Sequence, residues 1–296
     1  MTIIEKLKEL GYNTIAPEFY GKVAEWRSWY VGDVKSFHHY KVRNCGRTVH
    51  CKRYTLGMAK KLAEDWANLL MNEKVKITLE GEKEQAFIDR IFEENNFEVK
   101  ANEMQEMKSA LGTVAYIPRV VGAVSDGEQP IVGAANGIQI DYVTVEHIFP
   151  LAWQNGVIME CAFDSRTTVK GEDYCYLQIH KRNEIGFYDI ENRIFKITNE
   201  SLFEESLASV PGFEKIPPVV HTGSNKRQFV IDRLNIANNF DYYIPLGIPV
   251  YANAIDVLKG VDIAYDSYVN EFLLGKKRIM VKPAATQYLD GEPVFD

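Results

Sequence analysis

Residues 249–274, PVYANAIDVLKGVDIAYDSYVNEFLL, read as one long amphipathic helix that arrives shortly before the end of the 296-residue sequence, with little chain left to cover its apolar side. At 100° per residue, Tyr251, Ala254, Ile255, Val257, Leu258, Val261, Tyr265, Tyr268, Val269, Phe272 and Leu273 share one side. Asn253, Asp256, Lys259, Asp266, Ser267, Asn270 and Glu271 take the other. At about 1.5 Å per residue such a rod is roughly 40 Å long, the size of a small domain. Its apolar side needs a partner, so the first expectation is an assembly rather than a self-contained enzyme. Asp262 projects onto the apolar side and is expected to reach water at the stripe's edge, because aspartate is rarely fully buried; the alternative is a polar residue that sets register between helices. Gly260 costs about 1 kcal/mol against alanine in a helix and marks a bend or a close approach.

A chain of this length can bury a sizeable core in one large domain or two. Hydrophobic residues make up 46% and aromatic residues 12%, which excludes general disorder. A formal net charge of −7 argues against an overall basic nucleic-acid binder. No stretch reaches the about 18 apolar residues of a membrane span, and MTIIEKLKELGYN lacks the regions of a secretory signal. Assembly in a cytosol is expected. The four cysteines, Cys45, Cys51, Cys161 and Cys175, form no CxxC pair and read as free thiols. His38, His39, Cys45, His50 and Cys51 lie close in sequence, but C-x5-C matches no structural zinc pattern, so no metal and no cofactor is expected.

An opening helix is expected over 2–10, followed by clustered Trp26, Trp29 and Tyr30, which read as core or interface anchors. Between Val34 and Ala63 stand Lys35, Lys41, Arg43, Arg47, Lys52, Arg53, Lys60 and Lys61 with no acidic residue, a basic window that reads as a solvated face or as a contact for phosphate or an acidic partner. Residues 55–73 predict a second helix burying Leu56, Ala59, Leu62, Ala63, Trp66, Leu69 and Leu70. Alternating VKITLE over 75–80 predicts a strand, and shorter helices are expected at about 83–95 and 102–110. GTVAYIPRV, GIQIDYVTV, GVIMECAFDS, YCYLQIHKR, EIGFYDI and NRIFKI are strand candidates, giving an α+β fold. Segment 198–245, with Pro211, Pro217, Pro218 and Pro245, reads as an irregular connector.

Catalytic signatures are missing: there is no GxxxxGK[ST], GxGxxG, GxSxG or HExxH. The glycines of GAVSDGEQPIVGAANG read as a hairpin loop, and HTGSNKRQ at 221–228 resembles a phosphate loop in composition alone. Glu146 and His147 on a strand would point to opposite faces. Cys161 with His180 reads as two ordinary side chains rather than a nucleophile pair.

Three stretches carry a family resemblance: EWRSWYVGD with KRYTLGMAKKLAEDWANLLMNEKVKI, then HIFPLAWQNGVIMECAF, then GIPVYANAIDVLKGVDIAYDSYVNEFLLGKKRIMV. Together they span most of residues 25–281, and in order and length the chain resembles the N-terminal part of a portal protein, the head–tail connector of long-tailed bacteriophages. The resemblance implies a portal-like α+β wing of mixed helices and antiparallel strands over 1–245, a stem helix over 246–275, and the start of a clip over 276–296. The rest of the clip, a returning stem helix, a tunnel loop and a crown are expected outside these residues. It implies a homo-oligomeric ring, a dodecamer in the family, at the capsid vertex of the virion, assembled in the host bacterial cytoplasm. Terminase, a tail adaptor, the major capsid or scaffold protein and double-stranded DNA passing without sequence specificity are the implied partners, and no enzymatic activity is implied.

Carried onto these residues, Tyr251, Ile255, Leu258, Val261, Tyr265, Val269 and Phe272 become the subunit interface, and Asp256, Asp262, Asp266 and Glu271 the channel-facing candidates. With Lys259 as the one cation, the helix carries a net charge of −3, which would repel phosphates and let DNA slide. Lys276, Lys277 and Arg278, with Lys282 beyond, either complement the helix dipole or touch DNA or terminase. Two other readings stay open: a tail or baseplate adaptor binding through its terminal helix and basic window, and a hydrolase using His147 or His180.

Overall fold

The computed structural model describes residues 2–44, 47–71, 75–120, 124–125, 130–131, 137–199, 201–274, 286–289 and 292–295. Its helices are α1 (Ile3–Glu9), α2 (Pro17–Val31), α3 (Lys35–His38), α4 (Met58–Met71), α5 (Glu82–Glu94), α6 (Phe97–Leu111) and α7 (Ile255–Leu274). The strands are β1 (His39–Asn44), β2 (Arg47–Lys52), β3 (Thr113–Val120), β4 (Val124–Ser125), β5 (Pro130–Ile131), β6 (Ile138–Thr144), β7 (Ile148–Gln154), β8 (Val157–Val169), β9 (Glu172–Arg182), β10 (Tyr188–Thr198), β11 (Ser201–Glu205), β12 (Val219–His221), β13 (Val230–Arg233), β14 (Thr286–Leu289) and β15 (Glu292–Phe295). The mixture of helices and antiparallel strands is α+β, as the sequence pattern predicts. Contacts divide the chain into Met1–Gly32 with Gly57–Asn253, and Asp33–Leu56 with Ala254–Asp296.

The first unit is organised on an antiparallel sheet ordered β11-β10-β9-β8-β7, with β12 also paired to β10. Period-2 alternation along β9 sends Cys175, Leu177 and Ile179 to a face that packs with Phe149, Ala162, Phe195 and the α1 residues Ile4 and Leu7. A capping box sets α1 in place: the Thr2 hydroxyl accepts from the Glu5 amide while the Glu5 carboxylate accepts from the Thr2 amide. The opposite face, through Tyr174 and Ile194, is covered by Leu207 and Val210. Segment 198–245 therefore does more than connect: it supplies β11, β12 and β13 and half of the sheet's cover. The strand candidate NRIFKI and the end of EIGFYDI form the single strand β10, within which the Asn192 side chain bonds Tyr176 Oη and Pro217 O.

Helix α4 corrects the sequence reading of its buried side. The residues it buries are Ala59, Ala63 and Ala67, whose missing bulk lets α6 approach, while Trp66, Leu69 and Leu70 are exposed, Leu69 by 73%. Residues 75–79, expected as a strand, form neither a turn nor a ladder with another strand among the described residues. A second sheet, β13-β3-β6, follows α6. At the α6–β3 junction Gly112 has φ +89°, and a Cβ there would overlap the Gly247 carbonyl; a Cβ on Gly247 would overlap Gly112 O in turn.

That crossing explains why the terminal helix begins later than the expected residue 249. Gly247 N–H donates to Thr113 Oγ1 at 2.8 Å and Val250 N–H to Ser109 O at 3.0 Å, so the backbone before α7 is committed to the first unit. Tyr251 is buried there too, its hydroxyl 2.9 Å from Trp26 O and 2.8 Å from Ala110 O. Burial pushes its phenol pKa upward. A 3-10 turn over Ala252–Ala254 then leads into α7, a 20-residue helix about 30 Å long.

Candidate functional site

The second unit joins two stretches far apart in sequence: α3 with the hairpin β1–β2, and α7. Their junction is Asp262, 3% exposed and so not at the water-reaching edge expected for it. Its Oδ2 accepts from Thr55 Oγ1 at 3.0 Å and lies 3.0 Å from His38 Nε2; its Oδ1 accepts from Leu56 N–H at 3.0 Å. Val34 N–H donates to His38 Nδ1 at 2.8 Å. A backbone amide can only donate, so Nδ1 carries no proton and the ring donates through Nε2 to Asp262. One turn on, Asp266 Oδ1 accepts from Tyr54 N–H at 2.9 Å. A carboxylate taking several hydrogen bonds can be buried without the full desolvation cost.

These bonds decide which side of α7 is covered. Measured at 100° per residue, the line through Leu258, Asp262, Asp266 and Val269 is turned roughly 60° from the axis of the apolar stripe. Among the expected interface residues, Tyr251 belongs to the core of the first unit and Leu258 is buried; Ile255, Val261, Tyr265 and Val269 are partly buried within the chain. Phe272 is 61% exposed, and Val257 and Tyr268 are exposed with it, the Tyr268 and Phe272 rings 4.7 Å apart. Gly260, Ala264 and Ser267 lie between them on the open side. Of the channel-facing candidates, Asp256 and Glu271 are exposed, Asp256 paired with Lys259 at 2.9 Å. Asp262 and Asp266 are buried instead, held by hydrogen bonds from His38 and the 54–56 segment.

The basic window splits into satisfied and open cations. Asp33 holds Lys35 at 2.5 Å, His39 at 2.7 Å and Lys52 at 3.5 Å, and these partners keep its carboxyl well below the usual carboxylate range. Arg53 donates to Phe37 O at 2.6 Å and lies over the Phe37 and Tyr40 rings. Lys60 pairs with Glu106 and Lys61 with Asp65. Lys41, Arg43 and Arg47 are exposed on the hairpin, with no ion-pair partner among the described residues. Strand register places Lys41 opposite His50 and Arg43 opposite Thr48, one basic face of a two-stranded ribbon. The expected collar of Lys276, Lys277 and Arg278 lies outside the described residues, as does Cys45.

The candidate catalytic groups do not assemble chemistry. Glu146 and His147 sit in a 3-10 turn and diverge, Glu146 to Arg27 and His147 Nδ1 to Asp164 Oδ1 at 2.8 Å, which raises the imidazole pKa. Cys161 and His180 are cross-strand partners on β8 and β9. Burial pushes the Cys161 thiol far up and the His180 imidazole down to about 4, the ring standing edge-on to Phe163 and Phe229 with both nitrogens unpartnered. Among the described residues no group of three His, Cys, Asp or Glu could hold a metal ion, and no helix is long and apolar enough to cross a membrane.

Residues 12–296 match the family model described as phage portal protein, SPP1 Gp6-like. No curated protein matches the chain.

Proposed function

This chain belongs to the SPP1 Gp6-like family of phage portal proteins, and from that premise we propose that it is one subunit of a ring at the capsid vertex, a conduit for DNA packaging and ejection. The match over residues 12–296 is the observation that carries this reading, and the three stretches of resemblance all lie within it. In it α7 is the first stem helix, the wing is built mainly from residues 1–245, and residues after 275 begin the clip. Terminase, a tail adaptor and the major capsid or scaffold protein dock on the assembled ring, which in this family's manner is a dodecamer.

The exposed side of α7 supports a revised assignment of the stem contacts. Val257, Ile263, Tyr268, Phe272 and Leu273 are exposed apolar groups available to a neighbouring stem, with Gly260 and Ala264 allowing close approach. Asp256 and Glu271 remain to present negative charge to the DNA path, where they oppose tight binding of phosphate. The open cations Lys41, Arg43 and Arg47 favour a second reading, a tail or baseplate adaptor that binds through the hairpin and α7 without enclosing DNA.

Electron microscopy of the purified chain at micromolar concentration, together with sedimentation velocity, separates the two. A closed ring with an opening wide enough for a duplex supports the portal subunit. A solid or open complex supports the adaptor, and a strictly monomeric protein overturns both.

A further inference from the structure

Residues 75–79 carry a strand pattern without a partner strand, bonded along one edge by a side chain. The sequence alternates Val75, Ile77 and Leu79 with Lys76 and Thr78, a strand pattern, and the backbone there makes neither a turn nor a ladder. Gln85 on α5 fills the place of a neighbouring strand: its carboxamide accepts from Leu79 N–H at 2.7 Å and donates to Ile77 O at 3.2 Å. In an extended chain the N–H and C=O of alternate residues point to the same edge, so residues 77 and 79 face Gln85 and residues 76 and 78 face away. The backbone groups of Lys76 and Thr78 have no partner among the described residues. The apolar side chains are uncovered as well, Ile77 by 46%, and they follow the exposed Trp66, Leu69 and Leu70 of α4 in the chain.

We infer that residues 75–79 add as an edge strand to a second copy of this chain, a head-to-tail β-augmentation between neighbouring subunits. The addition satisfies the outward amides and carbonyls of Lys76 and Thr78 and covers apolar side chains that the single chain leaves in water. A second copy is the occupant the structure favours, because the same chain carries open sheet edges: β11 and β13 are terminal in their sheets, with Phe203 and Val230 exposed, and neither is paired with the 75–79 segment. A contact between two different surfaces of identical subunits repeats into a ring when its rotation closes. This inference rests on the portal reading for its multiplicity, and on Gln85 and the open edge for its geometry.

Hydrogen exchange on the full chain, at dilute and at micromolar concentration, tests it alongside Thr78→Pro. Proline at 78 keeps the apolar row but deletes one outward N–H. Amides 76 and 78 are expected to exchange freely in the monomer and to slow by about a hundredfold on assembly, and Thr78→Pro is expected to raise the concentration needed for assembly by about tenfold with an unchanged monomer melting midpoint. Ile77→Asp, which leaves every amide in place, is expected to weaken assembly similarly. Rings in which amides 76 and 78 stay unprotected, or Thr78→Pro rings that form like wild type, overturn the inference and leave the portal reading standing. Protection that appears only when another phage protein is added overturns the choice of a second copy, and a chain that never assembles overturns both proposals.

Discussion

His38 Nε2 lies 3.0 Å from Asp262 Oδ2, joining the start of the basic hairpin to the middle of the terminal helix across 224 residues of sequence. The bond makes residues 33–56 and α7 one folding unit, and it gives a helix with an apolar stripe a polar line to bury.

Asp262→Ala is expected to destabilise the second unit by about 2–4 kcal/mol, because the buried His38 ring and the part-buried Thr55 hydroxyl and Leu56 amide all lose their bond to this carboxylate. Asp256→Ala, at an exposed position of the same helix, is expected to change stability by less than about 0.5 kcal/mol. Limited proteolysis across the 53–56 segment and thermal melting of both variants compare the two.

Tyr268→Ser with Phe272→Ser is expected to weaken self-association by about tenfold or more without lowering monomer stability, since both rings are largely exposed in the single chain. Leu258→Ser, on the buried line, is expected to destabilise the monomer instead. Sedimentation velocity and melting on the same samples distinguish loss of contact from loss of fold.

Stability is expected to fall as pH drops from about 6.5 toward 4. The unfolded chain protonates His180 near its ordinary value, whereas the fold resists the charge until about pH 4 because the ring is dry and unpartnered. Between those limits the unfolded state binds more protons, and the stability lost is on the order of 3 kcal/mol. His147, raised by Asp164, contributes with the opposite sign above pH 6.5. Urea denaturation of wild type and His180→Phe at pH 5 and 7.5 isolates the acid limb, which the variant should flatten.

Gly112→Ala is expected to cost about 2 kcal/mol or more, because the new Cβ meets the Gly247 backbone and the φ of +89° is strained for an L side chain. Gly171→Ala shares a positive φ but has open space around its Cβ, so it should cost less. Paired chemical denaturation curves measure the difference.

Local signals made much of this chain legible from sequence alone. The opening helix is expected over 2–10, strand-like runs mark β3, β6, β8 and β9, and three stretches carry the portal family. All of these rest on residues close together in sequence, where spacing fixes geometry. The tertiary structure decided what spacing cannot: that Ala59, Ala63 and Ala67 rather than Trp66 and Leu69 line the packed side of α4, that Tyr251 belongs to the first unit, and that Asp262 and Asp266 are buried. In each case a long-range partner outweighs local hydrophobicity. A buried carboxylate with three donors is stable where a lone one is not, and those donors come from His38, Thr55 and Leu56, more than 200 residues upstream.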